Sequence, residues 1–117
     1  MSESTLGKDT AQISARAKVL GRALYAGDLK WPGLLHGKVL RSPYAHARIV
    51  RIDTRAAQAL PGVRAVLTGQ NSSAVPWGVH HKERRTLALN EVRFAGEEVA
   101  AVAAISEEIA RLSLIHI

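Results

Sequence analysis

Between Leu35 and Arg41 the chain alternates, with Leu35, Gly37, Val39 and Arg41 interleaved by His36, Lys38 and Leu40. A period of two is that of a β-strand with one face more buried than the other, and Gly37 argues against a helix. Pro43 fixes its own φ and holds Ser42 extended, so the strand should end near Arg41 and turn through Ser42 to Ala45. A second strand resumes at Ala47 with the run RIVRI. Asp53 or Thr54 then offers an oxygen to the free amides of a short helix over RAAQAL, which Pro61 and Gly62 stop within two turns. Ala56, Ala57 and Leu60 give that helix a narrow apolar face to lay on a sheet. Val63 to Thr68, VRAVLT, reads as another strand.

The flanks are less regular. Residues 1 to 13 show no sustained hydrophobic period, and residues 1–16 are expected to be a flexible arm. From Ala17 the apolar pieces are short and broken by Gly21, Gly27 and the Trp31-Pro32-Gly33 turn, which leaves one short strand at Ala23 to Tyr25. Gly69 to Leu87 is polar and turn-rich, a long surface excursion that Trp77 should pin to the body. Val92 to Phe94 and Val99 to Ile105 are both compatible with strands, separated by Gly96 as a turn or bulge requires. The near-continuous run VAAVAAI suggests a strand covered on both faces. Ser106 followed by Glu107 and Glu108 starts a helix, with Ile109 and Ala110 on its buried side. After Arg111 the six residues LSLIHI carry no stop signal, and the helix is expected to be cut or replaced there. The folded domain is thus expected over residues 17–111, with 112–117 a non-native tail. These elements make an α+β domain with a mixed β-sheet and short helices.

Composition narrows the classes. With 117 residues the chain fits one domain or a piece of one, and 47% apolar against 22% charged residues is compatible with a real core. The absence of cysteine removes disulfides, thiolate metal sites and iron-sulfur ligation from this chain. No run approaches the length of a membrane span, and the polar N-terminus lacks a leader's apolar core, so a cytoplasmic protein is expected. A net charge of +6 raises nucleic acid as a partner. The basic residues are scattered, however, and only His80, His81, Lys82, Arg84 and Arg85 form a compact run. An aromatic content of 4% leaves few stacking platforms, so nucleic acid is disfavoured. A small basic module binding nucleic acid or an acidic protein through Arg48, Arg51, Arg55 and the run 82–85 remains the alternative.

No candidate assembles into a catalytic, cofactor-binding or metal site. His80 and His81 are adjacent, so on a strand they point to opposite faces, and no carboxylate stands at helical spacing from them. His46 reads as a structural hydrogen-bonding group of the Pro43 turn, since no Ser or Cys nucleophile in a recognisable setting accompanies it. Glu97 and Glu98 likewise point opposite ways in an extended chain, which argues against paired acid-base chemistry, and no Gly-rich phosphate cradle surrounds them. Arg41 is the charged residue to watch. It sits among apolar neighbours, where pairing with a buried acid or a carbonyl would lock the Ser42-Pro43 turn and serve a structural or inter-domain role.

Four blocks carry a resemblance. Gly21, Ala23, Tyr25 and Asp28 match a Gly-x-Ala-x-Tyr-x-x-Asp opening. Leu35, Gly37, Val39, Arg41, Ser42, Pro43, Ala45, His46 and Ala47 match a Leu-x-Gly-x-hydrophobic-x-Arg-Ser-Pro-x-Ala-His-Ala block. Asp53, Thr54, Ala57, Leu60, Pro61, Gly62 and Val63 match the third, and Val92 to Ala104 the fourth. In this order and spacing the chain resembles the N-terminal α/β-hammerhead domain of the large, molybdopterin-binding subunit of the xanthine dehydrogenase and aldehyde oxidase family. The similarity covers about Lys18 to Arg111. VPWGV at Val75 to Val79 leans toward the 4-hydroxybenzoyl-CoA reductase-like branch. Beyond Arg111 the family continues the helix into a Val-x-Tyr-Glu-type strand, and LSLIHI departs from that pattern. The resemblance implies an intact enzyme that oxidises or hydroxylates aldehyde, N-heterocyclic or aromatic acyl-CoA substrates. It implies molybdopterin, as the cytosine dinucleotide or a related form, held by the remainder of the large subunit, with iron-sulfur clusters and FAD on partner domains or subunits. The family's catalytic glutamate and cofactor loops lie downstream, so no residue here inherits them, and this stretch alone is expected to be inactive.

Overall fold

The computed structural model describes Gly7, Asp9 and residues 11–73 and 75–117. The chain falls into two compact units, Met1–Pro32 and Gly33–Ile117. In the first, helix α1 (Ala15–Val19) is followed by a single 3₁₀ turn at Ala26–Asp28. Part of the arm expected over residues 1–16 lies outside the described residues, and its last two, Ala15 and Arg16, belong to α1. The strand expected at Ala23 to Tyr25 does not form. The amides of Arg22 and Ala23 both donate back to the Ala17 carbonyl, at 2.8 and 3.1 Å. Tyr25 N instead donates to Asp28 Oδ2 at 3.0 Å. The donors that a strand would offer to a neighbour are consumed locally, and the segment becomes a helix end and a turn.

The second unit holds the sheet. Strands β1 (His36–Arg41), β5 (Glu98–Ala104) and β3 (Val63–Thr68) form a three-stranded sheet in that order, and β2 (Ala47–Arg48) pairs with β4 (Glu91–Val92). The α+β class with short helices stands, and every pairing among the described residues is antiparallel. In register, Val39 and Leu67 both lie opposite Ala101, and Lys38 and Val66 opposite Val102. A bulge between Leu40 and Arg41 shifts Arg41 to pair with Glu98.

Helices α2 (Arg55–Ala59) and α3 (Glu107–Ile115) cover one face. Their Ala57 and Ala110 meet Val66, Val102 and Ala104 in the core, with Val63, Ile109 and Leu114 packed around it. Small side chains on both layers let the helix backbones come close, which explains how a nearly alanine-lined strand can anchor a core. Gly62 joins α2 to β3 at φ +92°, a conformation that strains any residue carrying a Cβ, and a Cβ there would also press on Ile109 Cδ1.

Two expectations about this unit need correction. β5 is covered on one face only: Ala100, Val102 and Ala104 are buried, while Ala103 is half-buried and Ala101 is half-buried between Val39 and Leu67, which are 42% and 43% exposed. Nor is the last helix cut at Arg111. It runs through Ile115 because Ser113 and Leu114 follow Ala110 at three and four residues and so share its buried side. Ser113 Oγ also donates to the Ala57 carbonyl at 3.3 Å. At the other end Ser106 caps the helix as expected, its Oγ accepting from Ile109 N at 3.3 Å.

Replacing Ser106 by Ala should lower the stability of the chain by about 1 kcal/mol, the usual value of such a cap, read as a shift of the urea midpoint. An unchanged midpoint would mean that Glu107 and Glu108 alone hold the first turn.

Candidate functional site

The most densely bonded polar arrangement in the second unit joins the Arg41-Ser42-Pro43-Tyr44 turn to the Arg93–Glu98 turn. Arg41 Nη1 donates to the Gly96 carbonyl at 2.8 Å and to Glu98 Oε1 at 2.5 Å. Ser42 N donates to the Glu97 carbonyl at 3.0 Å, and Gly96 N returns a bond to the Ser42 carbonyl at 2.8 Å. Ser42 is buried, and its Oγ accepts from Tyr44 N at 3.1 Å, which closes the turn that Pro43 presets. Gly96 lies at φ +92°, the conformation that brings its amide to Ser42. Arg41 therefore pairs with both an acid and a carbonyl. Glu98 is a half-exposed partner, so this bond fixes a surface turn.

Glu97 is the buried acid of the pair. Its Oε2 accepts from Arg93 N at 2.5 Å and its Oε1 from Arg93 Nη2 at 3.0 Å. With Arg93 N taken by a side chain, the ladder of β4 stops at Val92, which is why the strand expected to reach Phe94 is shorter. The two adjacent carboxylates thus serve different arginines. Extended-chain geometry presents Glu97 as a bland acid and misses this role. The signal for it is an Arg and a Glu four residues apart across a glycine turn.

The remaining candidates are dispersed. His46 Nε2 lies 3.5 Å from Glu91 Oε2 and is exposed, so it spans β2 and β4 and does not fix the Pro43 turn. Asp53 accepts from Arg55 N, Nε and Nη2 at 3.2, 3.0 and 2.6 Å. Those bonds hold its carboxyl well below the usual carboxylate range. His80 and His81 are exposed in the excursion, which folds back on itself where Trp77 and Arg84 exchange backbone bonds at 2.8 and 3.1 Å. Trp77 is 53% exposed, with the Arg84 guanidinium 5.8 Å from its ring. It organises the loop's own hairpin and is not sunk into the body as expected. No group of three His, Asp or Glu side chains is placed to hold a metal ion among the described residues.

The two carboxylates should differ in what they are worth. Glu97→Ala strands an Arg93 amide and guanidinium and should cost about 2 kcal/mol, whereas Arg41→Ala removes an exposed pair and should cost about 0.5 kcal/mol. Urea unfolding of both variants reads the order, and a larger loss for Arg41 would place the weight of the clasp on the wrong residue.

Acid should act through a second set of groups. The carboxyls of Glu98, Glu107 and Glu108 lie below their ordinary value of 4.5, chiefly through a backbone amide for Glu98 and Glu108 and through Lys38 for Glu107. A depressed folded-state pKa stabilises above the unfolded value and loses that contribution as pH falls through the folded value. Unfolding free energy should therefore hold between pH 7 and about 5 and decline below about pH 4.5. A rise of stability on acidification would contradict these ion pairs.

Residues 20–117 match the family model described as aldehyde oxidase and xanthine dehydrogenase, a/b hammerhead domain. A probable xanthine dehydrogenase subunit of Bacillus subtilis is 43% identical over 100 residues, which are 85% of this chain and 13% of that protein. The nicotinate dehydrogenase large molybdopterin subunit of Eubacterium barkeri is 35% identical over 113 residues, 93% of this chain and 26% of that one. Among solved structures, quinoline 2-oxidoreductase from Pseudomonas putida 86 superposes with a TM-score of 0.85 at 35% identity, over 98% of this chain and 16% of its own. The chain spans between about an eighth and a quarter of the length of these relatives. The fold, the four sequence blocks and the matched span agree, and the chain belongs to the a/b hammerhead domain family of aldehyde oxidase and xanthine dehydrogenase.

Proposed function

We propose that this chain is the N-terminal scaffold domain of a molybdenum hydroxylase large subunit, and that the intact subunit oxidises or hydroxylates an aldehyde, N-heterocyclic or aromatic acyl-CoA substrate. The observation that carries this reading is the match of nearly the whole chain to a small part of long molybdenum-enzyme subunits, at 43% identity in one relative and a TM-score of 0.85 in another. The relatives' names speak of xanthine, nicotinate, quinoline and carbon monoxide as substrates or enzyme types, and the present residues favour none of them.

The residues present do not fit a molybdopterin site. A pterin dinucleotide needs a cradle of free amides and donors for its phosphates. Here the amide of Arg93 and the guanidinium groups of Arg41, Arg55 and Arg93 are already engaged by carboxylates or carbonyls of the same domain. The cofactor, as the cytosine dinucleotide or a related form, belongs in this proposal to the remainder of the large subunit, and iron-sulfur and FAD centres to partner domains or subunits. No step of the reaction is carried by the residues described. A cytoplasmic location accompanies the proposal, and no described helix is long and apolar enough to cross a membrane.

The competing picture of a basic binding module is weakened by the same geometry. Of the residues it would use, Arg55 is paired with Asp53 and the Arg84 guanidinium lies 5.8 Å from the Trp77 ring, which leaves Arg48 and Arg51 as a small patch and not a continuous stripe.

Exchange of the matching segment of the Bacillus subtilis relative for residues 20–111 of this chain tests the scaffold reading. The chimeric subunit should purify folded and carry molybdenum at a level close to that of the parent. A folded chimera without molybdenum would overturn the reading.

A further inference from the structure

The hairpin of the excursion and the Arg93–Glu98 turn border an open cleft of about 650 Å³. Trp77 lines it from the hairpin and Phe94 from the turn, and each is 53% exposed. The acids of the cleft already have their charge answered, Glu97 by Arg93 and Glu98 by Arg41. Arg84 differs from them. Its guanidinium lies 5.8 Å from the Trp77 ring, and among the described residues its side chain forms no hydrogen bond or ion pair. It adds only to the field on Glu98. The backbone N–H and carbonyl of Arg84 are both taken by the bridge to Trp77, so the main chain fixes where this side chain starts.

We propose that the cleft binds a polypeptide segment in which an aromatic side chain stands next to a carboxylate. The aromatic ring of the segment is received by Trp77 and Phe94, which offer it offset and edge-to-face contacts. Its carboxylate takes the free N–H groups of Arg84, which the indole holds in place so that less side-chain freedom is lost on pairing. Arg93 does not compete for that carboxylate, since its Nη1 donates to the Glu83 carbonyl at 3.2 Å and its Nη2 to Glu97 at 3.0 Å. A single aromatic acid would leave most of the cleft empty, whereas the main chain on either side of a peptide's aromatic residue fills it. Tryptophan and arginine side by side are also the residues in which contact energy between polypeptides concentrates. The inference rests on these side chains and not on the scaffold reading, so the molybdenum content of the chimera leaves it untouched.

The probe is the blocked tripeptide acetyl-Asp-Phe-Asp amide, titrated into the isotopically labelled 117-residue chain and followed through the Trp77 indole N–H and the amides of residues 77–86 and 93–98. Those signals should move together at millimolar peptide, and the rest of the spectrum should stay in place. The acetyl-Asn-Phe-Asn amide should bind about fivefold more weakly or worse, and so should the parent peptide to Arg84→Gln, a substitution that leaves the backbone bridge intact. Phe94→Leu should weaken binding by about threefold. Phenylacetate, which carries ring and charge without a main chain, should move the same signals only slightly. Absence of shifts at millimolar peptide, equal binding of the asparagine peptide, or binding unchanged in Arg84→Gln would overturn the proposal. So would phenylacetate binding as tightly as the tripeptide, which would make the cleft a site for a small aromatic acid.

Discussion

Strand β5 is the element on which the second unit depends, because it alone is hydrogen-bonded on both sides and its inner face carries the helices. Its sequence, EVAAVAA, satisfies two demands at once. Ala104 leaves room for Ala57 of α2 and Ala110 of α3 to approach, and Val102 fills the space beside it. A larger residue at position 104 would push the helices off, and glycine would leave the strand without a side chain to pack. β1 and β3 then take their registers from β5, and through them the positions of Arg41 and Thr68 are set.

The polar clasp continues that constraint to the edge of the sheet. The bulge at Leu40 and Arg41 lets Arg41 meet Glu98 at the start of β5, and the glycine turn before it places Glu97 in a nearly buried position. A buried carboxylate is tolerated only when its lone pairs are taken, and Arg93 supplies both a backbone and a side-chain donor. The consequence reaches the topology, since the amide that Arg93 gives to Glu97 is withdrawn from the β4 ladder. That withdrawal ends the β2–β4 pair on the side where Arg93 would face His46, whereas the other end continues one step further, to the bond between Ile49 and Asn90.

Much of this is legible in the chain. β3 occupies the residues that alternation and flanking turn signals assign to it, β1 is within one residue, and Ser106 caps the helix that its acidic neighbours favour. What is not legible has a common cause, in that local donors find partners a one-dimensional pattern cannot show. Arg22 and Ala23 bond back to Ala17, Arg93 bonds to Glu97, and neither diversion changes hydropathy. The length of α3 escapes for a different reason. LSLIHI carries no stop signal of its own, and Ser113 and Leu114 fall at the helical spacing that Ala110 requires, so spacing decides the matter. The half-open outer face of β5 is also beyond a periodicity argument, because an apolar run reads the same whether its cover lies in the same chain or outside it.

The charged residues of the Arg41 turn are committed to the fold itself. An arginine that donates to a carbonyl and a carboxylate of its own domain has spent its directional capacity on holding two turns together, and its exposed remainder is screened. The same is true of Arg55 with Asp53. Arg48 and Arg51, only a few residues away, differ in having no such partners while they flank an apolar groove. Identity of residue type along RSPYAHARIVR therefore divides into two physical roles, the first three residues closing the fold upon itself and the last two, Val50 and Arg51, leaving an edge open.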